Sequence, residues 1–246
     1  MAEINSIKIA REKLDSGFIP ANHVMVETDL TTEGKKTKSG IIYGFDEDVE
    51  FDDESTSHMA DVAQTSGRVY KVPDKLYYNK EDPHNSMPHD CDMEVQVNDV
   101  VWFPPIEACS ATALECDGKY FKLIPYRDLW VAKRSKEIIL LNGYCLLSHI
   151  YKKNESPLAI SKQGDIDTTK GIIRFVGNSN REYIRPEYID FLNLNAGDVV
   201  LLNPGTPIVY LERKKYLATF LGDELFFVVQ RRKIAMILSK NISVRV

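Results

Sequence analysis

The chain has no apolar run of the roughly 18–20 residues needed to cross a bilayer, and no apolar segment near Met1 that resembles a secretory signal. Its 4 cysteines in 246 residues are too few for a disulfide framework. Lys and Arg number 31 against 36 Asp and Glu, so the basic excess typical of a general nucleic-acid-binding surface is missing. These features predict a cytoplasmic protein that binds neither membrane nor nucleic acid.

Catalytic signatures are also missing. There is no P-loop, no G-x-S-x-G and no G-x-G-x-x-G opening a helix. Cys109 and Cys116 could face each other across a hairpin, although ordinary packing is the favoured interpretation. Residues of metal-ligating type occur at a spacing that matches no standard zinc site, so we expect neither a metal nor a cofactor. These residues are His58, His84, His89 and Cys91.

The apolar residues are 43% of the chain, enough for substantial cores. They occur in short β-branched and aromatic runs such as Val100–Phe103 and Leu225–Val229, and sustained helical periodicity is rare. Short strands at roughly ten-residue spacing, separated by proline and glycine loops, are typical of small all-β barrels or sandwiches. The sequence therefore predicts an all-β protein.

Four segments occur twice along the chain in the same order, which predicts a duplicated domain. Their offsets are 99, 104, 105 and 120 residues, and the differences fall in polar loops. The boundary between the copies is expected near Ala132–Lys136. In the order of these offsets, the pairs are Val97–Phe103 with Ala196–Leu202, Gly67–Val72 with Gly171–Val176, Asp128–Ala132 with Lys233–Ile237, and Asn22–Val26 with Asn142–Leu146.

Two long polar segments interrupt the predicted strands. Loop 1, residues 28–66, carries the isolated apolar triplet Ile41-Ile42-Tyr43, and seven of the nine residues of Asp46–Glu54 are acidic. Loop 2, residues 152–170, carries Leu158-Ala159-Ile160. Each triplet is either one more strand of a barrel or the apolar tip of a mobile loop that docks in a partner's groove.

A docking tip of this size would bind weakly by itself. Three buried side chains contribute at most about 1.5–3 kcal/mol each, and ordering the loop costs about 1–2 kcal/mol per fixed residue. A ring of such loops would bind well through avidity.

The ordered set of motifs resembles the co-chaperonin GroES (chaperonin-10) family, present here in tandem. The first strand of that family has a proline followed by V-x-V, and its mobile-loop tip is Gly-Ile-Val-Leu-like. A G-x-V-x-x-V-G strand, a V-G-D-x-V-x-F strand and a closing D-I-L-A-I strand follow. In this order the matching segments are Pro20–Val26, Ser39–Tyr43, Gly67–Pro73 with Gly171–Gly177, Val97–Phe103 with Ala196–Leu202, and Asp128–Ala132 with Lys233–Ile237.

The resemblance implies two tandem GroES-like β-barrel domains with long mobile loops. Residues 1–17 would be an N-terminal extension, 18–134 and 138–238 the two domains, and 239–246 a C-terminal tail. Within the first domain, the enlarged segment 74–92 takes the place of the family's roof hairpin.

The implied function is that of a co-chaperonin rather than an enzyme. A homo-oligomeric ring would cap a GroEL-type chaperonin, which binds the ATP, and would enclose client polypeptides in the cytoplasm of a bacterium or a phage-infected host. The residues expected to dock on the chaperonin are Ile41, Ile42, Tyr43, Leu158, Ala159 and Ile160.

Two alternatives remain because loop 1 and the roof segment are larger than the family's. One is a structural or assembly protein, for example of a virion, that reuses the barrel without binding a chaperonin. The other is a cap specialised for one bulky client.

Overall fold

A computed structural model describes the fold of the chain over the residues given at the end of this paragraph. Strands make up 56% and helices 9% of the structure, so the prediction of a mostly β-sheet protein is confirmed. No helix in the described part is long and apolar enough to span a membrane. The described residues are 6–17, 21–28, 35–36, 42–43, 66–79, 81, 86–87, 89–104, 113–152, 166–178, 181–182, 193–206, 209–210 and 226–239.

The chain divides into two compact units, Met1–Ile139 (unit 1) and Leu140–Val246 (unit 2). The strands from the first unit up to the boundary are β1 (Ser6–Lys8), β2 (His23–Thr28), β3 (Lys35–Lys36), β4 (Ile42–Tyr43), β5 (Ser66–Lys71), β6 (His89–Asp90), β7 (Val100–Trp102), β8 (Ala113–Cys116), β9 (Lys119–Pro125), β10 (Val131–Arg134) and β11 (Glu137–Leu140). Short helical turns lie at Lys13–Gly17 and Tyr126–Asp128.

Eight of these strands form one sheet in the order β1-β8-β9-β2-β5-β7-β10-β11. Strand β1 runs parallel to β8, whereas the ladders from β8 through β10 are antiparallel.

Unit 2 contains a six-stranded antiparallel sheet in the order β16-β17-β12-β13-β15-β18. A short helical turn at Arg231–Lys233 connects β17 to β18. The strands of this unit are β12 (Tyr144–Tyr151), β13 (Ile166–Val176), β14 (Arg181–Glu182), β15 (Val199–Leu202), β16 (Val209–Tyr210), β17 (Phe226–Gln230) and β18 (Ile234–Ser239).

The two sheets share one strand order. Strands β8-β9-β2-β5-β7-β10 of the first correspond to β16-β17-β12-β13-β15-β18 of the second. In unit 1, β9 returns to lie beside β2, and in unit 2, β17 returns to lie beside β12. The strands β9-β2-β5-β7 and β17-β12-β13-β15 therefore each have the Greek-key arrangement. Among the described residues neither sheet closes into a barrel: the outermost strands are β1 and β11 in one sheet, and β16 and β18 in the other.

The residue pairing is equivalent as well. Val26 pairs with Val69 in unit 1, and Leu147 pairs with Ile173 in unit 2. Immediately beside each pair the register shifts by one residue, which is the signature of a β-bulge. The four repeated segments thus occupy equivalent positions in the two sheets.

One repeat offset differs from the expectation by one residue. His23 pairs with Pro125, and Tyr144 pairs with Gln230, each immediately before the short helical turn of its unit. His23 therefore corresponds to Tyr144, an offset of 121 rather than 120. The sequence match aligned two asparagines, whereas the hydrogen-bonded ladder aligns the strands themselves.

A buried aspartate closes an equivalent turn in each unit. The backbone N–H of Gln96 donates to Asp99 Oδ2 over 2.8 Å, and that of Asn195 donates to Asp198 Oδ2 over 3.0 Å. The residue before each aspartate has a positive φ, 75° and 90° respectively, and is an asparagine or a glycine. The aspartates are 2% and 0% exposed, so each carboxylate replaces water in capping its own turn.

Residues 6–17, which we call the N-terminal arm, are an integral part of unit 1. Strand β1 pairs with β8, and the fully buried Leu14 packs in a cluster with Met25, Leu114 and Phe121. From the sequence, residues 1–17 are expected to be an N-terminal extension, and the buried leucine of the arm contributes to the core of unit 1.

Polar contacts fasten the arm to the bulge of β5. Arg11 Nε donates to Asp117 Oδ2 over 2.9 Å, and Arg11 Nη1 donates to the hydroxyl of Tyr70 over 3.3 Å. The Tyr70 hydroxyl donates to Asp15, and this hydrogen bond raises the pKa of Tyr70. Lys71 Nζ donates to the carbonyl oxygen of Asp15 over 2.6 Å.

Glycine is required at one position where β5 lies beside β2 and at the equivalent position where β13 lies beside β12. A Cβ atom at Gly67 would lie 2.5 Å from the carbonyl oxygen of Glu27. A Cβ atom at Gly171 would lie 2.7 Å from Leu147 Cδ2 and 2.7 Å from Phe227 Cζ. The Cβ at Gly67 would also meet Val26 Cγ1, but it is the backbone of Glu27 that cannot move aside as a side chain can.

We expect Gly67→Ala to lower the stability of the fold by about 1–3 kcal/mol through overpacking. Gly171→Ala should cost less because its neighbours are side chains. Gly118→Ala is the control: its Cβ would meet nothing within 4 Å, and only its φ of +72° penalises the substitution, by about 1–2 kcal/mol. Thermal unfolding followed by circular dichroism measures all three, and a Gly67→Ala variant as stable as wild type would contradict the close approach.

Candidate docking site

The structure describes part of the predicted docking set. Ile42 and Tyr43 form β4, which pairs with β3 so that Lys36 faces Ile42 and Lys35 faces Tyr43. This two-stranded sheet is separate from the eight-stranded sheet of unit 1. Ile41 and the second set, Leu158, Ala159 and Ile160, lie outside the described residues.

The base of loop 1 is a pair of neighbouring antiparallel strands. Strand β2 ends at Thr28 and β5 begins at Ser66, and each of these residues is only 6% exposed. The pair of the ladder nearest the loop joins Glu27 to Arg68, and Lys119 Nζ lies 2.6 Å from Glu27 Oε1. The loop therefore leaves the sheet from one buried, fixed point.

The base of loop 2 has the corresponding geometry. Strands β12 and β13 are antiparallel neighbours, and their last pair is Tyr151 with Ile166. Residues Ile166–Lys170, which the sequence assigned to loop 2, belong to β13. Since β2 and β5 correspond to β12 and β13, both loops connect the same pair of strands at the same end.

Side chains beside the base of loop 2 fix its backbone. Asp167 Oδ1 accepts hydrogen bonds from the backbone N–H and the hydroxyl of Thr169, over 3.0 and 2.6 Å. The bond from the Thr169 hydroxyl lowers the pKa of Asp167, and Lys170 Nζ lies 3.5 Å from the same carboxylate. The carboxylate is therefore ionised at neutral pH and braces the start of β13.

The described part of the predicted roof segment, 74–92, is fastened to β2 by a side-chain amide. Asn22 Nδ2 donates to the carbonyl oxygen of Tyr77 over 3.1 Å, and the N–H of Tyr77 donates to Asn22 Oδ1 over 2.6 Å. The backbone N–H of Met87 donates to the same Tyr77 carbonyl, and Met87 is 1% exposed. Tyr77 itself remains half exposed, so this segment presents an aromatic side chain to solvent.

Unit 1 contains a bidentate ion pair between β10 and the buried turn of Asp99. Arg134 Nε and Nη2 donate to the two carboxylate oxygens of Asp99 over 3.0 and 2.8 Å, and Nη2 also donates to the carbonyl oxygen of Glu94. We assign Arg134 a structural role because it ties the buried turn of Asp99 to β10.

We expect Arg134→Ala to lower stability by about 3 kcal/mol because it leaves the Asp99 carboxylate, 3% exposed, without its cation. Arg127→Ala is the matched control. Arg127 pairs with Asp128 over 3.6 Å at a side chain that is 48% exposed, a contact expected to contribute about 0–1 kcal/mol. Equal melting temperatures for the two variants would contradict the structural role.

Cys91 is not a reactive thiol. Burial, followed by the charges of Glu94, Asp90 and Asp92, raises its pKa to about 12. The thiol is therefore neutral at physiological pH and is a poor nucleophile and metal ligand. The described residues contain no group of three or more His, Cys, Asp or Glu side chains arranged to hold a metal.

Two further cysteines and two of the histidines were considered in the sequence analysis. Cys116 is a buried free thiol. Cys109, His58 and His84 lie outside the described residues. A pairing of Cys109 with Cys116 is thus no part of the described structure.

Comparison with known proteins identifies no family for this chain. No model of a known protein family matches the chain, and no curated protein is significantly similar to it. The class that the structure defines is a mostly β-sheet protein of two units with equivalent strand order. Function is therefore inferred from the chain's own residues.

Proposed function

We propose that the chain is a co-chaperonin with two GroES-like β-barrel domains. It forms a homo-oligomeric ring, caps a GroEL-type chaperonin and encloses a client polypeptide for folding. The observation that carries the proposal is the equivalence of the two loop bases. Two units with the same strand order each extend a long loop from the same pair of strands, as a lid that grips through repeated loops requires.

In this proposal Ile41, Ile42 and Tyr43 dock on the chaperonin, and a second set docks from loop 2. The pairing of β3 with β4 supports such a role because it holds Ile42 and Tyr43 in a small hairpin apart from the main sheet. An isolated two-stranded hairpin is marginally stable in water, so a partner's surface can order it reversibly. The second set is Leu158, Ala159 and Ile160.

Binding through several weak loops suits a lid that must be released. Each tip buries only three side chains, so a single loop binds weakly, and the loops of one ring act together. ATP is bound and hydrolysed by the chaperonin, and its nucleotide state determines when the lid binds. The chain itself is not an enzyme, and it acts in the cytoplasm where client chains are folded.

The direct test is a pull-down with a bacterial GroEL-type chaperonin and ADP. Wild type should be retained, and Ile41→Ser/Ile42→Ser should reduce retention at least about tenfold because the apolar contact is lost. Leu158→Ser/Ile160→Ser tests the second loop in the same way. Val97→Ser is the matched control, since Val97 is 50% exposed and lies outside both loops.

Two results would contradict the proposal. One is a wild-type chain that is not retained with either ADP or ATP, which would favour a structural protein of an assembly such as a virion. The other is a doubly substituted loop 1 variant that binds as tightly as the Val97→Ser control.

A further inference from the structure

The N-terminal arm is anchored in unit 1 by one buried side chain. From Ile7 to Ser16, every side chain except that of Leu14 is exposed or only partly buried. Leu14 fills an apolar slot whose lining residues are each at most 6% exposed, namely Met25, Leu114, Cys116 and Phe121. Segments with few buried apolar contacts open locally before the rest of a fold, so we expect the arm to open first.

The polar side-chain contacts of the arm lie at the surface. Arg11 pairs with Asp117 over 2.9 Å, and the two side chains are 39% and 66% exposed. Asp15, which accepts the hydrogen bond from Tyr70, is exposed as well. Exposed pairs of this kind contribute little to stability, so they orient the arm more than they hold it closed.

Unit 1 recognises the arm largely through the backbone of the arm. The N–H of Ile9 donates to the carbonyl oxygen of Glu115 over 2.9 Å, which continues the pairing of β1 with β8. Lys71 Nζ donates to the carbonyl oxygens of Leu14 and Asp15 over 3.2 and 2.6 Å. Every polypeptide carries such backbone groups, so the slot of Leu14 is the main element that selects for a side chain.

This mode of contact is the one by which many domains bind extended peptides. In β-strand addition, a peptide pairs with the edge of a sheet, its main chain gives affinity and a side-chain pocket gives specificity. Strand β1 is added parallel to β8, whereas the ladders from β8 through β10 are antiparallel. The described part of unit 2 has the six shared strands in the same order without a counterpart of β1. The arm is thus an addition to the strand order that the two units share.

We propose that the N-terminal arm is an internal ligand of a peptide-binding site on unit 1. When the arm opens, the site binds an extended segment of another polypeptide, which pairs with β8 and places an aliphatic side chain in the slot of Leu14. The arm competes with that segment, so the site is autoinhibited. The proposal goes beyond the co-chaperonin function and depends on neither the docking loops nor a chaperonin, so the two can fail separately.

The first test measures opening of the arm with two buried thiols of the full chain. Cys116 packs in the same cluster as Leu14, and Cys145 lies in the core of unit 2. Cys91 and Cys109 are replaced by serine, and labelling by excess iodoacetamide is followed by mass spectrometry of the two cysteine peptides. Cys116 should react at least about tenfold faster than Cys145, because local opening is more frequent than unfolding of a core.

Two results of this labelling would overturn the proposal. Equal rates at Cys116 and Cys145 would mean that the arm opens no more often than a core unfolds. A Cys116 rate that rises steeply with urea well below the unfolding transition would mean that unit 1 unfolds as a whole, since local opening exposes little surface.

Substitutions in the arm show whether its surface contacts control the opening. Arg11→Ala/Asp15→Ala should raise the rate at Cys116 by about threefold to tenfold, as expected for the loss of exposed pairs, and should leave Cys145 unchanged. Glu12→Ala/Lys13→Ala is the matched control, because both side chains are exposed on the same arm. An Arg11→Ala/Asp15→Ala rate equal to that of this control would overturn the proposal.

A fluorescein-labelled peptide with the sequence of residues 4–17 tests the site itself by fluorescence polarisation. It should bind the Arg11→Ala/Asp15→Ala chain at least about threefold more tightly than the Glu12→Ala/Lys13→Ala chain, because apparent affinity is proportional to the open fraction. The same peptide with Leu14→Asp should not bind. Absence of binding to both chains, or equal binding of the two peptides, would overturn the proposal.

A third peptide separates a general site from one that fits only the arm. It keeps Ile9 and Leu14 and has alanine at positions 11–13. It should bind within about tenfold of the native peptide, because only exposed polar contacts are lost. Failure of this peptide to bind would restrict the site to the arm's own sequence and would overturn the proposal.

Discussion

The close approach of β5 to β2, and of β13 to β12, is the constraint on which both units depend. Gly67 leaves room for the backbone of Glu27, Gly171 leaves room for the side chains of Leu147 and Phe227, and the bulge near each glycine adds local twist. The bulge also directs a side chain out of the ladder. In unit 1 this is Tyr70, which binds the N-terminal arm, and in unit 2 it is Arg174, whose Nε donates to Ser148 Oγ over 2.6 Å.

The same crossing determines where the loops begin. Each long loop connects two paired strands of its sheet, so the sheet fixes both ends of the loop; Thr28 and Ser66 at the base of loop 1 are buried, whereas Tyr151 at the base of loop 2 is 41% exposed. In the proposed function, such a base gives an apolar tip a defined origin from which to reach a partner. The proposed co-chaperonin function requires this combination of a fixed scaffold and repeated weak contacts.

The strands and the duplication could be predicted because their signals are local. Glycine before a β-branched run, and an acidic turn before Val100 and Val199, specify the same element wherever they occur. The N-terminal arm could not be predicted in this way. Three residues of β1 carry no periodicity, and their partner strand lies about a hundred residues further along the chain.

Contacts made by single side chains could not be predicted from the sequence either. The side-chain amide of Asn22 makes the two hydrogen bonds to the backbone of Tyr77 that a neighbouring strand would make. No pattern in the sequence distinguishes such an asparagine from an ordinary turn residue. The docking set stays a prediction from the sequence, to which the structure adds the equivalent strand pairs at the bases of the two loops and the pairing of β4 with β3.

Amide hydrogen exchange at the two loop tips tests the central claim most directly. The account predicts rapid exchange at residues 35–43 and 158–160 in the protein alone, and marked protection once a GroEL-type chaperonin and nucleotide are added. Strong protection in the protein alone, or no change on adding the chaperonin with nucleotide, would contradict it.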